Sequence, residues 1–160
     1  MKRKIACTGH IDLSRIPGFD ETITRRKLRA FFEEQGECVL FCGLASGADL
    51  IFAEEALGCG AELVAVLPCE KEEFALEHRD DGAQFWRLAE YIKEIVIASH
   101  PIHRYLGVGE YMAEQCDVML GMCDVQTWSK VEKTGEEVPP GGTFDCLRMA
   151  KKAGKEIVLV

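Results

Sequence analysis

Small and hydroxyl-bearing residues gather at several points where an apolar run ends. Three such stretches are "TGH" (8–10), "GLASGAD" (43–49) and "GGT" (141–143). In the first, Thr8 and Gly9 offer backbone donors, and His10 offers a ring whose protonation switches near neutral pH. In the second, Gly43, Ser46 and Gly47 precede a helix-like run. Free N–H groups and the helix dipole favour an anion there, and small side chains let it approach the backbone. Ser46 can equally serve as a helix N-cap. Asp49 would repel a phosphate in direct contact, so a ribose hydroxyl or a structural hydrogen bond suits it better. "GGT" repeats the arrangement: Pro139 and Pro140 stiffen the approach, Gly141 and Gly142 free the backbone, and Thr143 can cap the helix or donate to a phosphate. Neither turn has the G-x-G-x-x-G spacing of a dinucleotide fingerprint or the lysine of a P-loop.

Other residues offer further chemistry. Arg104 in "HPIHR" (100–104) is a candidate clamp, because a guanidinium grips phosphate or carboxylate bidentately. His100 and His103 beside it have no recognised metal-ligand spacing. None of the eight cysteines forms a C-x-x-C pair, so no metal site is expected. Most of these cysteines lie in apolar runs and read as buried thiols. Asp124, at the carboxyl end of the fifth expected strand, suits contact with a ribose or an amine, whereas Asp117 at the other end reads as structural. Trp128 stands in a polar stretch and is the aromatic placed to stack on a base. Were bond cleavage the activity, Asp145, Glu110 or Asp49 would be the acids to test, with Arg104 as the clamp; each must reach the scissile bond within hydrogen-bond range.

The elements that must position these residues alternate regularly. Strands are expected at 4–9, 38–43, 62–68, 94–99, 117–122 and 155–160. They are rich in Val, Ile and Leu without clean alternation, the mark of a parallel sheet buried on both faces. Between them run helices, among them 20–36, with apolar Ile23, Leu28, Phe31 and Phe32 and a glycine stop, and 47–60, again closed by glycine. A polar helix covers 71–93 with a break at "DDG" (80–82); shorter ones cover 108–116 and 141–154. The polar, apolar-poor stretch 123–142 reads as a loop of roughly 15 residues, a length usually functional or mobile. Strands alternating with helices indicate βαβ units. The fold class is therefore α/β: a three-layer Rossmann-like sandwich, a mainly parallel sheet of about six strands with helices on both faces, in one domain over 1–160. In such sheets ligands bind outside the carboxyl ends of the strands, where the glycine turns fall.

Composition narrows the partners. With 48% hydrophobic residues the chain can build a core. A net charge of −8 argues against nucleic acid, whose binding rests on clustered Lys and Arg, but leaves room for a small anion held by backbone N–H groups. No signal-like segment or run of roughly 18 apolar residues is present, so a cytoplasmic location with no membrane contact is expected.

Taken together, "TGH", "CGLASGADLIFAEEAL…GAELVAVLP", "GEYMAEQCDVMLGMCD" and "GGTFDCLRMAKKAGKEIVLV" resemble the SLOG superfamily. This Rossmann-like group includes the Lonely Guy phosphoribohydrolases and the DprA-like and YpsA-like proteins. The resemblance spans nearly the whole chain and is nearest to YpsA-like or stand-alone SLOG domains. It implies a nucleotide or nucleotide-derived ligand (AMP, ADP-ribose or a nucleotide sugar), with Gly9, Gly43, Ser46, Gly47, Gly142 and Thr143 lining its phosphate and ribose. It also implies a homodimer. The catalytic branch carries "PGGxGTxxE", whose Glu attends the glycosidic bond. Here "PPGGTFDCL" has lost a glycine step and places Cys146 where Glu stands. The resemblance thus implies a ligand-binding or sensing protein, with phosphoribohydrolase activity on a nucleoside monophosphate as the alternative.

Overall fold

Six short apolar runs form strands: β1 (Arg3–Gly9), β2 (Cys38–Cys42), β3 (Glu62–Leu67), β4 (Ile92–Ile97), β5 (Val118–Met122) and β6 (Glu156–Leu159). The computed structural model describes residues 1–78 and 82–160, with the side chains of 82–84 left aside. All neighbouring strands pair in parallel, in the order β4-β3-β2-β1-β5-β6. The order reverses at β1, so the connections leaving β1 and β5 diverge and leave a crevice between them.

The helices are α1 (Glu21–Gln35), α2 (Ala48–Gly58), α3 (Lys71–Glu77), α4 (Gly82–Ala89), α5 (Arg104–Gln115), α6 (Val125–Thr134) and α7 (Thr143–Lys152). They cover both faces, completing the three-layer α/β sandwich expected from the sequence. One core joins Leu40, Leu63 and Leu67 of the sheet to Leu28 and Phe32 of α1, Phe52 and Ala56 of α2, and Phe74 and Phe85 of α3 and α4. The other joins Ala6, Val64, Val66 and Met119 to Val108 and Met112 of α5, Val131 of α6 and Leu147 of α7.

Local sequence explains the elements. The Asp20 side chain accepts from the N–H of Ile23 and caps α1, while Thr24, Leu28 and Phe32 recur every four residues and are buried. Helix α2 is apolar around most of its circumference, as its burial between α1 and the sheet requires. Its one buried acid away from the helix start, Glu55, is held by Arg25 and Arg29.

Three expectations change. The stretch 123–142 is not one long loop, because α6 occupies half of it. Asp124 caps α6 through Gln126 N–H and Thr127, Gly135 closes it in the left-handed conformation, and Trp128 and Val131 form its buried stripe. Trp128 accordingly stacks on Phe144 within the protein, at 6.3 Å between ring centres and 4° between planes, and is not free for a base. Boundaries also move: β4 begins at Ile92, and α5 begins at Arg104, one turn before the expected start. The break expected at "DDG" falls on residues 80–81, outside the described residues. No helix among the described residues is long and apolar enough to cross a membrane.

Candidate functional site

At the carboxyl ends of the strands, where the order reverses, lies a cleft of about 540 Å³. Four segments supply most of its lining. The end of β1 and the segment after it contribute Thr8, Gly9, His10, Asp12 and Arg15, and the turn after β2 with the first turn of α2 contributes Gly43, Ala45 and Asp49. The start of α5 contributes His103 and Tyr105, and the turn into α7 contributes Pro139 through Phe144. Cys7 and Cys146 lie at its base, both buried.

The way helices begin around this cleft is informative. Asp12, Asp20 and Asp124 each cap a short helical turn or helix with their own carboxylate. Helices α2, α5 and α7, which start at the cleft, have no side-chain cap, and neither does α3. The first N–H groups of a helix have no partner within it. At α2 one of them is answered by the main chain, since Ala48 N–H donates to the carbonyl of His10 at 3.2 Å. At α7 the turn is prepared by Asp145, whose Oδ2 accepts from Gly141 N–H at 2.9 Å, and Gly142 is the cap position. Gly142 N–H donates to the Pro139 carbonyl at 3.2 Å, and the next two positions, Thr143 and Phe144, stand in the cleft wall.

Charge is sparse in the cleft. Arg15, on the short helical turn Leu13–Arg15, is the one Arg or Lys in the lining and makes no ion pair among the described residues. His10 is buried with its ring edge-on to Phe144 at 5.4 Å; burial lowers its pKa and favours the neutral ring. Asp49 is buried and accepts from Ala45 N–H at 3.1 Å, yet burial pushes its pKa up to about 7. Tyr105 donates to Glu77, and burial raises its phenol to about 12. Among the described residues, His103 Nδ1 is the one buried side-chain nitrogen or oxygen without a hydrogen-bond partner, and His103 lines this cleft. A buried polar atom in that state is uncommon in a folded protein.

The fold brings Thr8, Gly9, His10, Gly43, Asp49, Gly141, Gly142 and Thr143 together in the lining, although they come from three distant stretches. Other sequence candidates stand elsewhere. Gly47 has φ of 76°, and an added Cβ would lie 2.2 Å from the Ile11 carbonyl, so it wedges the β1 segment against α2 without lining the cleft. Ser46 also lies outside the lining and is not the α2 cap, which is Gly47. Arg104 is committed to Glu77 at 2.5 Å and Glu73 at 3.1 Å, joining α5 to α3. Asp124 caps α6, Asp145 braces the 141–142 turn, and Glu110 is exposed on α5; none of the three lines the cleft. Sequence reasoning passed over Arg15, Asp12, Tyr105 and Phe144. A basic residue in the segment after β1 was the available signal, because that segment faces the reversal of strand order.

No protein-family model and no curated protein matches the chain. Solved structures do. TM1055, a structural-genomics target, matches with a TM-score of 0.58 and 14% identity over 97% of this chain and 72% of that one. The molybdenum cofactor carrier protein of Chlamydomonas reinhardtii matches with a TM-score of 0.58 and 15% identity, over 99% and 76% of the two chains. DNA processing protein A of Helicobacter pylori, described for its single-stranded DNA binding mode, gives 0.51 and 16%, over 97% and 74%. Likeness at this level of identity speaks to the fold alone, and that fold is a three-layer Rossmann-like sandwich.

Proposed function

We propose that this protein binds a small phosphorylated ligand of the nucleotide or cofactor class in the cleft between β1 and β5, and acts as a binding or sensing protein without chemistry of its own. The observation that carries this reading is the uncapped start of α7, with Gly141, Gly142 and Thr143 facing a cleft whose one Arg or Lys is Arg15. A phosphate there would meet main-chain donors, the positive end of a helix dipole and one guanidinium. Apolar walls from Ile11, Val66, Val108, Met112 and Phe144 suit the flat, less polar part of such a ligand.

Fold neighbours support a ligand of this kind, since one of them carries the molybdenum cofactor. Another binds single-stranded DNA, but a net charge of −8 and a single Arg or Lys in the cleft favour a small anion over a polyanion. Glycosidic hydrolysis is the second reading: Asp145 and Glu110 lie outside the cleft lining and Arg104 is already paired, which leaves Asp49 as the one candidate acid in the lining.

The test is calorimetry and thermal unfolding with AMP, ADP-ribose, nucleotide sugars and the molybdenum cofactor. A true ligand at about a hundredfold over its Kd stabilises by about 2.7 kcal/mol. Arg15→Glu should abolish that gain. Failure of every compound to stabilise the protein would overturn the reading. Release of free base from AMP would establish the hydrolase alternative instead.

A further inference from the structure

Beneath the cleft floor, two thiols and a carboxylate from three different elements converge. They are Cys7 at the end of β1, Cys42 at the end of β2, and Asp49 in the first turn of α2. Their ligating atoms all lie within 4.8 Å of one another. The strands bring the thiols together: β1 and β2 pair in register, Ala6 opposite Phe41, and Cys7 and Cys42 follow next on each strand.

We infer that Cys7, Cys42 and Asp49 form a three-ligand site for a thiophilic divalent cation of the zinc class, with its fourth coordination position opening into the cleft. Two sulfurs and one carboxylate oxygen are a donor set suited to such an ion, and three protein ligands leave one position for water or a bound molecule. Bond lengths of about 2.3 Å to sulfur and about 2.0 Å to oxygen put tetrahedral ligand atoms about 3.5–3.8 Å apart, so closing on an ion takes a contraction of at most about 1 Å. Cys7 and Asp49 both line the cleft, so the open position faces the side from which a ligand would arrive.

The surrounding backbone is arranged as an outer shell. Leu44 N–H donates to Cys42 Sγ at 3.4 Å, and Ala45 N–H donates to Asp49 Oδ2 at 3.1 Å. Both donors belong to the turn in which Leu44 takes φ of 53°, the one left-handed non-glycine among the described residues. That conformation costs on the order of 1–2 kcal/mol and aims two N–H groups at a sulfur and a carboxylate. Donors to the ligand atoms orient them and stabilise their anionic forms, as partners around a metal do. Without an ion, burial keeps the Cys7 and Cys42 thiols protonated, so binding releases their protons to solvent. The second grouping, Cys69 with Glu73 and Glu77, differs in being bound to Arg104, which already supplies the positive charge.

This inference stands apart from the nucleotide reading, because it is tested with the metal alone. The reduced, chelator-treated full chain is titrated with Co(II), followed by competition with Zn(II). One equivalent should bind with intense sulfur-to-cobalt charge-transfer absorption and tetrahedral d–d bands, with proton release, and Zn(II) should displace it. Cys7→Ser and Cys42→Ser should each weaken binding by at least about tenfold and lower the charge-transfer intensity. Asp49→Asn keeps an oxygen for Ala45 N–H and therefore the local fold; it should weaken binding by a similar factor while retaining the sulfur bands. Cys69→Ser should bind like the parent. Absence of stoichiometric Co(II) binding by the parent chain overturns the inference, as does unchanged affinity in Asp49→Asn. Should the serine variants fail to fold, the parent spectrum and Asp49→Asn decide the matter.

Discussion

Arg15 and Asp49 carry the clearest consequences for single side chains. Arg15 is exposed and unpaired at the cleft rim, so its removal should leave stability nearly unchanged. A charge-assisted bond to a phosphate is worth about 1.5–3 kcal/mol, so Arg15→Ala should weaken ligand binding by at least about tenfold, as measured by calorimetry. Asp49 makes a different prediction. Its pKa is raised from 3.8 to about 7 in the folded protein because burial penalises the charge. Between those values the folded chain holds a proton that the unfolded chain has lost, so stability falls as pH rises through the window and levels off above about pH 7. The loss is on the order of 4 kcal/mol across it. In urea unfolding of metal-free protein, Asp49→Asn should lack this fall and should be more stable than the parent at about pH 8. An unchanged pH profile in the variant would show that Asp49 does not hold the proton.

At the scale of elements, caps and wedges can be separated from ligand contacts. Asp124 caps α6, so Asp124→Ala should cost about 1 kcal/mol in chemical denaturation. Ligand affinity should stay within about twofold, as expected of a residue outside the cleft lining. Gly47 combines φ of 76° with a Cβ position 2.2 Å from the Ile11 carbonyl, so Gly47→Ala should destabilise by more than about 2 kcal/mol. Its thermal midpoint should drop with or without ligand. The same two features show how far sequence alone could reach. Both "SGAD" and "GGT" stood out as glycine turns at helix starts, and both do open helices. What spacing could not tell is that Gly47 serves the packing of two segments, whereas Gly141 to Thr143 line the cleft. Helix α6 escaped notice because its surface is polar; its Asp124 cap, Gly135 stop and Trp128–Val131 stripe were present but sparse.

Across the whole molecule, alternation of strands and helices was enough to foresee six strands and two helical layers. Strand order was not readable, since nothing local in β4 or β5 tells the chain to return past β1. That return makes the crevice and brings Arg15 and the α7 start into one cleft lining, whereas Cys7 stands beside Cys42 because β1 and β2 are neighbours. Arg104 illustrates the same limit: its guanidinium was a sound candidate clamp until α3 folded back to supply Glu73 and Glu77. The overall charge of −8 gives a prediction at this scale. A labelled single-stranded oligonucleotide should show no anisotropy change at about 0.1 M salt, where screening still leaves long-range repulsion partly effective. Saturable binding there would move the protein toward the DNA-binding side of its fold relatives.

The start of α7 offers its donors from the main chain, and a main chain is inherited whatever side chains decorate it. On the proposed reading, substitution around the turn alters the walls of the cleft without erasing its grip on an anion. Under the proposed reading, lineages sharing this scaffold could exchange one phosphorylated ligand for another by changing only residues such as Ile11, Met112 and Phe144. Selectivity would then drift quickly while the anchor stayed old.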